Sequence, residues 1–164
     1  MTATQELLRI VLIGCGATLI MDLWLMFLKR IGVQTLNFAF IGRWVGHLFR
    51  GRIAHASIGK ASPIAHEALL GWLTHYAVGI AFAFLLTGVA GVAWMQAPSP
   101  GIALLTGIGT VGFPLLVMQP AMGLGVAAAK TPTPFRNCIR SLLNHSVFGY
   151  GLFISACVIE WTAR

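Results

Sequence analysis

Residues 68–129 read ALLGWLTHYAVGIAFAFLLTGVAGVAWMQAPSPGIALLTGIGTVGFPLLVMQPAMGLGVAAA, without a single Asp, Glu, Lys or Arg. A helix that crosses a bilayer needs about 20 apolar residues, so this run is too long for one crossing. It divides at Gln96-Ala97-Pro98-Ser99-Pro100-Gly101, a cluster of turn formers that a helix interior does not tolerate. Two spans follow, 68–95 and 101–129. Working outward, residues 10–28 form another apolar run interrupted only by Asp22, and residues 141–159 form a fourth. The sequence therefore specifies an all-α, polytopic membrane protein with four transmembrane helices arranged as two hairpins in a single domain over residues 1–164.

Composition agrees. Of 164 residues, 57% are hydrophobic and 9% charged, where a soluble domain carries charge on about a quarter of its positions. That excludes a soluble enzyme, a disordered chain and a disulfide-stapled secreted domain. Cys15, Cys138 and Cys157 are widely spaced, with no CxxC pair, and are expected to be plain buried thiols. The net charge of +7 is read against the bilayer and not as a nucleic-acid footprint. Lys29, Arg30, Arg43, Arg50, Arg52 and Lys60 lie between the first two spans, and Lys130, Arg136 and Arg140 between the last two. Retention of basic loops on the cytoplasmic side puts both termini outside, in the inner membrane of a bacterium. The first span precedes its basic residues and has no small-residue cleavage site after Leu28, so it is expected to stay as an anchor.

The first basic loop contains Phe40, Ile41, Trp44, Val45, Leu48 and Phe49 at helical spacing, with Arg43, His47 and Arg50 on the other side of the wheel. This predicts an interfacial amphipathic helix over 38–50, its basic side toward anionic lipid headgroups, with Arg43, Arg50 and Arg52 as the contacts. A short internal repeat is also legible. Leu73, His75 and Gly79 recur at the same offsets as Leu143, His145 and Gly149, which suggests parallel hairpin repeats.

Counting from the middle of each span at about 1.5 Å per residue puts Asp22, His75, Gln119 and His145 roughly 6 to 10 Å to the cytoplasmic side of the midplane. Ionisable groups at that depth are costly, so they are expected to face the interior and pair, Asp22 with a histidine. Thr18 and Asn144 are the expected hydrogen-bonding neighbours. Gly14 and Thr18 on the first span, and Gly71, Gly79 and Ala83 on the second, supply the small residues that let helices approach. Pro114 and Pro120 must interrupt the third span beside Gln119.

The stretches Gly14-Cys15-Gly16-Ala17-Thr18-Leu19-Ile20-Met21-Asp22-Leu23-Trp24, Gly42-Arg43-Trp44-Val45-Gly46-His47, Gly71-Trp72-Leu73-Thr74-His75-Tyr76 and Arg136-Asn137-Cys138-Ile139-Arg140-Ser141-Leu142-Leu143-Asn144-His145-Ser146-Val147-Phe148-Gly149 resemble a family of small bacterial membrane proteins known only as a domain of unknown function. The resemblance spans nearly the whole chain and implies a bacterial inner-membrane protein. It supplies no activity, ligand or site.

The residue chemistry suggests three function classes. One is a small proton-linked transporter or channel-like protein, with Asp22 as the proton or cation site, His75 and His145 as titrating partners, and a homodimer enclosing the pathway. Another is a haem or divalent-metal binder using His75 and His145, with Asp22 as a further metal ligand. The third is a structural or accessory subunit. An intramembrane hydrolase is not supported: there is no Gly-x-Ser-x-Gly elbow, and His66-Glu67 is followed by Ala68, Leu69 and Leu70 in place of a His-Glu-x-x-His motif.

Overall fold

A computed structural model describes residues 2–163, and among these it contains helices and no strand. Four helices are long and apolar enough to cross a membrane: α1 (Ala3–Arg30), α3 (Glu67–Ala90), α4 (Pro100–Ala121) and α5 (Pro134–Thr162). A shorter amphipathic helix, α2 (Phe38–Leu48), lies in the first basic loop. The chain is an integral membrane protein. Large apolar side chains such as Val89, Leu105 and Leu116 are exposed, as expected where the solvent is lipid.

The helix ends follow from local chemistry. Thr2 and Gln5 form a capping box, each side chain satisfying the other residue's main-chain N–H, so α1 begins well before the apolar run. At its far end α3 stops at Ala90, because Gly91 adopts φ +82° and a single 3-10 turn over Val92–Met95 follows. The second span is thus shorter than the hydropathy suggests. Pro100 opens α4, where a missing N–H costs nothing. Further along, the N–H that Pro114 lacks converts residues Pro114–Met118 into a π-helical turn, and one α-turn, Gln119–Ala121, ends the helix. Gly123 (φ +89°) and Gly125 (φ +78°) then reverse the chain, so residues 122–129 belong to a loop although they are apolar.

Two compact units are present. One comprises Met1–Gln34, Tyr76–Thr110 and Asn144–Arg164; the other comprises Thr35–His75 and Val111–Leu143. The core of the first is built from Ile13, Ala17, Leu86, Met95, Ala103 and Leu152, all nearly inaccessible. Its helices meet at glycines. A Cβ on Gly14 would lie 2.6 Å from Ile80 Cα, and one on Gly149 would lie 2.8 Å from the Ala103 carbonyl oxygen. Such close backbone approach is how helices associate in lipid, where no hydrophobic force drives them together. Arg9 and Glu160 close the same unit with an ion pair at 2.7 Å. Glu160, unremarkable in the sequence, therefore ties α1 to α5.

The second unit has a smaller core of Trp44, Ile58 and Met122. In it, α2 buries Ile41, Gly42, Arg43, Trp44 and His47. This corrects the expectation that the Arg43 and His47 side of α2 faces lipid headgroups. A helical wheel separates polar from apolar residues but does not say which polar groups find protein partners, and both of these do.

Candidate functional site

In the first unit, α1 carries Asp22, 6% exposed, and the Tyr76 hydroxyl of α3 donates to its Oδ2 at 3.0 Å. One turn earlier, the Thr18 hydroxyl donates to the Gly14 carbonyl at 2.8 Å and lies against Gly79 so closely that a Cβ there would overlap its oxygen. The contact of Gly14 and Thr18 with Gly79 and Ile80 sets the spacing of the two helices. That spacing brings Tyr76 within reach of Asp22. Tyr76 follows His75 in the sequence, and neither its spacing nor its depth marks it as the partner of Asp22.

Two more of the sequence-selected residues are paired in this unit. Asn144 Oδ1 accepts from the Trp24 indole N–H at 3.0 Å. His145 Nδ1 lies 3.0 Å from the Thr110 hydroxyl, which already donates to the Gly107 carbonyl at 2.7 Å. The Thr110 hydroxyl thus bridges the α4 main chain and the His145 ring. Trp24 and Thr110 are partners that spacing alone does not reveal.

His75 and Gln119 belong to the second unit. His75 lies tilted against Phe38 and edge-on to Trp72, with ring centres 4.5 and 6.0 Å away. His145 likewise has an aromatic neighbour, Phe82, with ring centres 6.3 Å apart. Gln119 Oε1 is buried with no hydrogen-bond partner among the described residues.

The most extensive polar network in the second unit is one the sequence reading did not anticipate. Arg43 meets Glu67 through two parallel bonds, Nε to Oε2 at 2.8 Å and a terminal nitrogen to Oε1 at 2.7 Å. Its other terminal nitrogen faces the carbonyls of Ile58, Gly59 and Ala61 at 3.2 to 3.3 Å. Glu67 also accepts the Ile64 N–H. The loop joining α2 to α3 is thus gathered around one guanidinium. Of the three arginines expected at headgroups, Arg50 and Arg52 are exposed, while Arg43 is committed to this network.

Beside it lies His55, 6% exposed, its ring centre 4.9 Å from that of His47. Burial holds the His55 imidazole below its ordinary pKa, and the positive charge of Arg52 and the neighbouring His47 push it the same way. The Ala121 carbonyl pulls weakly in the opposite direction without reaching hydrogen-bonding geometry with the ring. Because the folded value lies below an unfolded one of about 6.5, the unfolded chain takes up a proton first as pH falls. This contribution to stability is complete above about pH 6.5 and is lost as pH drops through the folded value. The thermal midpoint in detergent is expected to fall on acidification, with a shallower slope in H55N; equal slopes would contradict this.

Among the described residues, no three His, Cys, Asp or Glu side chains are grouped to hold a metal ion. No curated protein and no solved structure matches the chain. A family model described as "Protein of unknown function (DUF2938)" matches residues 11–159. With most of its length matched, the chain belongs to that family.

Proposed function

We propose that this integral membrane protein is a small proton-linked transporter or channel-like protein in which Asp22 carries the proton or cation. One observation carries the reading: a carboxylate 6% exposed within a membrane-crossing helix and bonded by a tyrosine hydroxyl. Ionisable side chains at membrane depth are costly and mark ion pathways and proton relays. A phenolic hydroxyl both donates and accepts, so Tyr76 can stay bonded to the carboxyl in either protonation state.

In this reading Thr18, Asn144 and His145, which share a unit with Asp22, supply the remaining polar groups. The Leu-x-His repeat reflects two related hairpins, and a homodimer encloses the pathway. The basic loops lie in the cytoplasm of a bacterial cell, with both termini outside. Arg50 and Arg52 contact anionic headgroups there.

The test is proton flux into proteoliposomes containing a trapped pH-sensitive dye, driven by an imposed potential. D22N is expected to lower flux at least about tenfold, and Y76F less. Flux no greater than in protein-free vesicles would overturn the reading. So would wild-type flux from D22N, which would make Asp22 and Tyr76 a packing pair.

A further inference from the structure

Two main-chain bonds fasten residues 55–58 to the end of α4. His55 N–H donates to the Ala121 carbonyl at 2.8 Å, and Ile58 N–H donates to the Met122 carbonyl at 3.0 Å. Gly123 permits the approach, since a Cβ there would overlap the Ala56 carbonyl oxygen. The fastening buries His55 against His47 of α2, with ring planes 79° apart. Neither ring nitrogen of His55 has a hydrogen-bond partner among the described residues, and neither does Gln119 Oε1, two positions before Ala121. A polar atom left buried and unpaired is destabilising, so the two ring nitrogens of His55 point to a ligand.

A neighbouring group defines the ligand's chemistry. His47 Nε2 lies 2.9 Å from the Ser62 carbonyl. A carbonyl only accepts, so Nε2 holds the proton and Nδ1 keeps its lone pair. An imidazole oriented through its far nitrogen by a main-chain carbonyl is the arrangement that fixes a metal-ligating histidine. Two imidazoles sharing one ion, with metal–nitrogen bonds of about 2.0–2.1 Å and a tetrahedral angle, have ring centres about 5 Å apart. The observed 4.9 Å fits.

We propose that His47 and His55 bind one divalent transition-metal ion. The ligands are Nδ1 of His47 and one ring nitrogen of His55. Two neutral imidazoles, with no carboxylate, favour copper, nickel or zinc over magnesium or calcium. The positive charge of exposed Arg52 acts on His55 and opposes a cation there. This inference does not depend on the transport reading, since none of the groups is Asp22 or Tyr76.

The experiment uses the full chain in detergent, purified without a histidine tag, with Cu²⁺ as the paramagnetic probe and Zn²⁺ as competitor. One Cu²⁺ per chain is expected, with magnetic coupling to two imidazole nitrogens, displaced by Zn²⁺ but not by Mg²⁺. H47Q and H55Q are each expected to weaken binding at least about tenfold, and H66Q not at all. Circular dichroism checks that each variant is folded; should H55Q fail, H47Q and the wild-type nitrogen count decide. Substoichiometric copper, a spectrum without two imidazole nitrogens, or binding that survives H47Q would overturn the proposal. In any of those cases the buried nitrogens are simply hydrated.

Discussion

Replacing Arg43 by methionine is expected to destabilise the second unit by about 3–5 kcal/mol, the range for a buried ion pair that loses one partner. The side chains of Arg43 and Glu67 are 10% and 19% exposed, so neither charge can relax into bulk solvent when the other is removed. The substitution would strand the Glu67 carboxylate together with the carbonyls that the guanidinium faces, those of Ile58, Gly59 and Ala61. E67Q should cost less, because a neutral amide still accepts from Arg43 and leaves the carbonyl contacts in place. The R43M/E67L double variant should recover part of the loss, since it removes both charges and leaves only neutral groups unpaired, the carbonyls and the Ile64 N–H. Thermal midpoints in detergent, with protease nicking of residues 50–66 as a local readout, give the cycle. If R43M shifts stability by less than about 1 kcal/mol, the pair behaves as a surface salt bridge and the loop is held by something else.

A single methyl group at residue 42 should have an effect of similar size. In the second unit α2 crosses the start of α3 with main chain against main chain. A Cβ on Gly42 would overlap the Glu67 carbonyl oxygen and sit 2.6 Å from Gly71 N, and a Cβ on Gly71 would overlap the Phe38 carbonyl oxygen. Backbone atoms cannot rotate aside as a side chain can, so G42A must push the helices apart. Overpacking typically costs about 1–3 kcal/mol, and the upper end or beyond is expected here. The separation would also lengthen the Arg43–Glu67 bonds, so G42A and R43M should be less than additive. Gly88 is the control: nothing lies within 4 Å of its added Cβ, and G88A should be neutral or slightly stabilising. A G42A protein that melts with the wild type would show that the two helices do not meet at this glycine.

Both predictions concern residues whose importance was only partly legible. Gly42, Arg43 and His47 stand in the motif carrying the family resemblance, but periodicity assigned Arg43 and His47 to the lipid-facing side. Their burial depends on Glu67 and on the carbonyls at 58–62, which are distant in sequence. His55 was invisible for another reason: it lies in an irregular segment where neither a period of 3.6 nor of 2 marks which side is inward. Gln119 was found by depth counting. What gives it interest, a buried oxygen without a partner, depends on how the end of α4 meets residues 53–58.

The crossing helices were decided by the sequence alone, because moving charge into hydrocarbon costs so much that uncharged runs and the turn at 96–101 leave one arrangement of spans. The same reasoning located Asp22 in the first span and the break beside Pro114. Only the tertiary structure decided the partners: Tyr76 for Asp22, Glu67 for Arg43, Thr110 for His145, and the burial of His47 with His55. Hydropathy is a sum over local residues and survives without a fold. A hydrogen bond requires two atoms within about 3 Å, and only chain packing brings them there.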